Sequence, residues 1–127
     1  MNLRELRTKV KNLKADIPGI ISLLVFDRER NLLLYGESDD LTLPLGGISD
    51  CYARFASRLE MAHACRQSAI GKSIKRVNIF SGKMVVSVRT LSEKHMVVGE
   101  CMGLRCLAPL NHGVTCLART LEEAENG

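Results

Sequence analysis

The stretch that decides the fold is "IPGIISLLVFDRERNLLLYGES", Ile17 to Ser38. Ile20–Asp27 is rich in β-branched and large apolar residues and too short for a helix. It reads as a strand buried on both faces. Pro18-Gly19 blocks any helix from running into it. Arg28–Asn31 supplies a charged turn, and Asn31–Glu37 returns as a second strand. The unit is a β-hairpin, although the turn lacks the Asn-Gly or Asp-Gly pair typical of tight hairpins.

Before the hairpin, Leu3, Leu6, Val10, Leu13 and Ile17 recur at steps of three and four. That spacing is the apolar stripe of an amphipathic helix with a charged back. After it, "SDDLTLPLGG" is a connector punctuated by Pro and Gly. From Pro44 to Ile70 the pattern is helical, with Leu45, Ile48, Tyr52, Phe55, Leu59 and Ala62 on one face, and Gly71 ends it. Ser73–Phe80 alternates as a third strand, and Ser81-Gly82 reads as a hairpin turn. Met84–Leu91 is a fourth strand, with Met84, Val86 and Val88 on one face. Ser92–Lys94 turns into a fifth strand, His95–Cys101. A last helix is predicted near Pro109, with a stripe of Leu110, Val114, Leu117, Leu121 and Ala124 weakened by Gly113. The order α-β-β-α-β-β-β-α predicts an α+β fold, with a five-stranded, mostly antiparallel sheet and helices packed on it.

Length and composition set the limits. The chain has 127 residues, which suits a single domain over 1–127; 46% of residues are hydrophobic and 25% charged. No run approaches the roughly 18 apolar residues of a membrane span. The segment "MNLRELRTKVKNLK" has no apolar signal core, so a cytoplasmic address is expected. The formal net charge is +4. Basic residues gather at Arg4, Arg7, Lys9, Lys11 and Lys14, and at Arg66, Lys72, Lys75, Arg76 and Lys83. Acid gathers at Asp39-Asp40 and at Glu122, Glu123 and Glu125. Cysteines stand at 51, 65, 101, 106 and 116. An odd count without a signal sequence predicts reduced, buried thiols rather than a disulfide framework.

No chemical motif is complete. "GKS" at 71–73 lacks the earlier glycine of a phosphate-binding loop, because position 66 is Arg. Cys101, Cys106, His112 and Cys116 are spaced more widely than structural zinc ligands, so no metal is expected. His63 and Cys65 point to different sides of a helix, and no nucleophile elbow occurs. The basic segment "KSIKRVNIFSGK" holds Phe80 as its single aromatic, too little stacking surface for a single-strand nucleic-acid reader. No catalytic, cofactor or metal residue is assigned.

The chain resembles the Roadblock family, the dynein-light-chain-type domain with a profilin-like architecture. The residues that carry the resemblance are the hairpin quoted above, "LGGISDCYARFASRLEMAHACRQSA", "KRVNIFSGKMVVSVRTLSEKHMVVGECM" and "APLNHGVTCLARTLEEA". The chain departs from the family where "RERN" replaces the usual tight first turn, and in the cysteines of "CMGLRCLAPL". The resemblance implies a non-catalytic scaffold that forms a homodimer, pairing third strands edge to edge and packing long helices across the axis. Lys75, Val77 and Ile79 on the strand, and Cys51, Ala56 and Met61 on the helix, are then the expected dimer contacts. Family members regulate small Ras-like GTPases or act as adaptors in motor complexes, so a small GTPase or a motor or signalling protein is the expected partner. No nucleic acid, membrane insertion or cofactor is implied. Arg28, Glu29 and Arg30, where the first turn departs from the family, are the expected partner surface. Two rival readings are a small-ligand sensor of similar shape and a cysteine-based redox- or metal-responsive regulator.

Overall fold

The computed structural model describes residues 3–30, 32–39, 76–91 and 94–126. Its elements are α1 (Leu3–Asp16), β1 (Ile20–Asp27), β2 (Leu32–Ser38), β3 (Arg76–Ser81), β4 (Met84–Leu91), β5 (His95–Met102) and a C-terminal helix α2 (Leu107–Asn126), preceded by a 3-10 turn at Leu104–Cys106. The strands form one sheet in the order β2-β1-β5-β4-β3. Every neighbouring pair is antiparallel. The fold is the α+β sheet-and-helix architecture expected. The predicted helix over Pro44–Ile70 and the first residues of the predicted third strand, 73–75, lie outside the described residues.

Alternation sorts the side chains onto two faces. On one face Leu23, Val25, Val85, Val97 and Cys101 form a core with Leu6 and Val10 of α1 and Leu110, Val114, Leu117 and Leu121 of α2. On the other, Leu24, Phe26, Val86, Val88, Met96 and Val98 form a second cluster. β1 is therefore buried on both faces, as its continuous apolar run implies. Each fully buried Leu or Val contributes roughly 1.5–3 kcal/mol relative to exposure. α1 rests on β1 and β2, and α2 rests on β4 and β5.

Three details go beyond the sequence reading or correct it. The β1–β2 register steps over Leu34, pairing Val25 with Tyr35 and Phe26 with Leu33. That bulge accommodates the longer charged turn. The β3–β4 turn is Gly82-Lys83, with Ser81 still paired to Met84, because Gly82 takes the positive φ of 60° that the first turn position requires. Gly113 lies within the continuous helix α2 and has a packing role. A Cβ there would sit 2.5 Å from Ile17 Cδ1, so the missing side chain lets the end of α1 close onto α2.

The cysteine expectation is corrected. Cys101 and Cys106 are joined in a disulfide, with Cα atoms 6.4 Å apart. Gly103, at φ 89°, turns the chain after β5, and the 3-10 turn brings Cys106 back over Cys101. Cys116 is free and half-buried. Cys51 and Cys65 lie outside the described residues.

Candidate partner surfaces

β3 is the terminal strand of the described sheet. One of its edges pairs with β4 and the other meets no strand among the described residues, leaving its backbone N–H and C=O groups as a template for a further strand. Val77 and Ile79 point to the face of Val86 and Val88, opposite which they pair. Both are half-buried, and Ile79 packs against that cluster. Of the other expected dimer contacts, Cys51, Ala56, Met61 and Lys75 lie outside the described residues.

Arg76, Asn78 and Phe80 point to the opposite face, where the helices sit. Their partners on β4 are Arg89, Ser87 and Val85. Ser87 Oγ donates to Asn111 Oδ1 of α2 at 2.8 Å, and Arg76 Nη2 donates to Thr115 Oγ1 of the same helix. Phe80 is 55% exposed. The pairing of Arg76 with Arg89 was missed from the sequence because it depends on the exact turn.

The first hairpin tip is built by Asp27. Its Oδ1 accepts from the Arg30 backbone N–H at 3.1 Å, and its Oδ2 lies 3.9 Å from Arg30 Nε. Arg28 N–H donates to Lys94 carbonyl at 2.7 Å, tying the tip to the turn before β5. Asp27 is thus a turn former. Glu29 and Arg30 are exposed, and Arg28 is half-buried. Beside β2, the basic helix meets acid: Lys14 Nζ lies 2.7 Å from Asp39 Oδ1 and Lys11 Nζ 3.9 Å from Glu37 Oε1. Tyr35 hydroxyl donates to Glu37 Oε1, and Arg7 lies 6.0 Å from the Tyr35 ring centroid. Part of the N-terminal positive charge is therefore used within the fold.

Other chemistry is sparse. Among the described residues no group of His, Cys, Asp and Glu is placed to hold a metal ion. His112 Nε2 and Cys116 Sγ are 3.5 Å apart, one turn apart on α2, with no third group to orient the imidazole among the described residues. A depression of about 370 Å³ along Arg4, Thr8 and Asn12 of α1 is open to solvent, unlike the enclosed pocket a small-ligand sensor needs. No helix among the described residues is long and apolar enough to cross a membrane.

Solved structures share this architecture. The chain has the Roadblock/LC7 fold. A Roadblock/LC7 domain from Streptomyces avermitilis superposes with a TM-score of 0.70 at 15% identity, over 100% of each chain. MglB from Myxococcus xanthus gives a TM-score of 0.76 at 9% identity, covering 96% of this chain and 91% of its own. An MglB structure with a tetrameric arrangement gives 0.68 at 18% identity, covering 96% and 91%. No protein-family model matches the sequence, and no curated protein matches it. At these identities the likeness is one of fold.

Proposed function

We propose that this chain is a Roadblock-type homodimer that works as a binding scaffold and regulator for a small Ras-like GTPase or a related partner protein. The observation that carries the reading is the open β3 edge of a Roadblock-fold sheet. Two copies joined along it would form one continuous sheet, satisfying the outward backbone groups of both. Val77 and Ile79 would then meet their counterparts on one face, where β-branched cross-strand pairs favour pairing. Self-association has a parallel among the similar structures, one of which is an MglB in a tetrameric arrangement. The hairpin tip at Arg28, Glu29 and Arg30, on the strand pair farthest from β3, stays open to a second protein.

Light scattering tests the first half. The expected result is a dimer for the unmodified chain and a smaller species for Ile79→Lys, with circular dichroism showing that the variant stays folded. A concentration-independent monomer of the unmodified chain overturns the dimer. Pull-down from the native cell tests the second half: recovery of a nucleotide-loaded Ras-like GTPase is expected, and its repeated absence argues for another partner class.

A further inference from the structure

We infer that the β3–β4 hairpin carries a docking site for an acidic protein segment, centred on Arg76 and Arg89. The two arginines are direct cross-strand partners and point to the same face of the sheet. Like charges in that position repel. Among the described residues neither is neutralised: Arg76 bonds the uncharged Thr115 hydroxyl, and Arg89 Nε is buried with no acceptor. Among the described residues no carboxylate pairs with either guanidinium. A carboxylate arriving from outside at the exposed Arg76 and the half-buried Arg89 would relieve that repulsion.

The same row specifies more than charge. Phe80, four residues along on the same face of β3, is exposed and offers an apolar contact. A cation pair and an aromatic ring on one face fit an extended peptide that presents an acidic and an apolar side chain to the same side. A bare phosphate ion would use only the first of the two. Edge pairing through β3 would employ backbone groups in the plane of the sheet, so the site does not depend on the dimer.

Fluorescence anisotropy with a short labelled peptide of Glu-Ser-Leu-Ser repeats, which sets Glu and Leu on one side of an extended chain, tests this on the full chain. Binding is expected to weaken about tenfold or more in Arg89→Gln and in Arg76→Gln, the loss typical of a charge-assisted hydrogen bond. Phe80→Ser should weaken it less, and Lys83→Gln, an exposed cation at the nearby turn, should leave it unchanged. Arg89→Gln should melt no lower than the unmodified chain, since it relieves repulsion. Equal binding by Arg89→Gln overturns the proposal, as does an equal loss in Lys83→Gln, which would mean general charge attraction. Displacement of the peptide by inorganic phosphate at micromolar concentration would overturn it in favour of a phosphate site. Loss of self-association in Arg89→Gln without loss of peptide binding would assign the arginines to a second copy instead.

Discussion

Gly99 of β5 and Leu110 of α2 are in contact so close that a Cβ on Gly99 would lie 2.6 Å from Leu110 Cδ1 and 3.0 Å from Val114 Cγ2. The helix is seated on the sheet by the absence of that one carbon. Both neighbours are fully buried, so either must shift within the core to admit a methyl. Gly99→Ala should therefore destabilise by about 1–3 kcal/mol through overpacking. Leu110→Ala alone should cost roughly 2–5 kcal/mol through its cavity. The double variant should cost clearly less than the sum, because the new methyl occupies part of the cavity. Urea denaturation of the four proteins measures the coupling; strict additivity would mean that the two residues do not compete for the same volume.

The disulfide between Cys101 and Cys106 closes a short loop over a buried strand end. Chain-entropy reasoning gives about 2 kcal/mol for a loop this size. Replacing both cysteines by alanine should lower the melting temperature on the order of 5 °C. Adding reductant to the unmodified chain should give a similar shift, and adding it to the double variant should give none. An unmodified chain whose melting ignores reductant would mean that the two thiols are not bonded in solution.

How these features could be read from the sequence differs by their range. The strands and both described helices follow from side-chain periodicity, because Leu6 and Val10, or Leu110, Val114 and Leu117, must share a face to be buried at all. The central pairing of β1 with β5 joins residues far apart in the chain, periodicity says nothing about it, and it was not read from the sequence. The disulfide was missed because a spacing of five becomes a contact only after Gly103 turns the chain. The arginine pair was hidden by a single residue. A turn at Ser81-Gly82 would set Arg76 opposite Ser87, whereas the observed turn at Gly82-Lys83 sets it opposite Arg89. A small shift in turn position leaves side-chain faces readable but changes cross-strand partners.

At the first hairpin tip, stability and recognition should separate. Asp27→Ala removes the acceptor for the Arg30 N–H and should cost about 1 kcal/mol, within the range for a lost local hydrogen bond. Asp27→Asn should recover most of this, since the amide oxygen can accept the same bond. Glu29→Ala and Arg30→Ala, both exposed, should change stability by no more than about 0.5 kcal/mol. If the tip meets a partner, those two variants lower capture of that protein while thermal melts stay level. Unchanged capture would remove the tip from the proposed surface.

Tyr35 provides a test in alkali. Its phenol is held above the ordinary value of 10.0, first by burial and then by the hydrogen bond to Glu37 and that carboxylate's charge, against an opposing pull from Arg7. The unfolded chain therefore loses this proton at lower pH than the folded one. The phenol's contribution to stability is complete below the unfolded value and declines as pH rises through about 10 toward the folded value. Tyr35→Phe should be less stable than the unmodified chain at pH 8, having lost the bond to Glu37. It should also lose the part of the alkaline decline that belongs to this residue, so the two stability curves converge as pH rises. Denaturant midpoints measured across that range decide the matter: curves that stay parallel would show that Tyr35 titrates alike in the folded and unfolded chains.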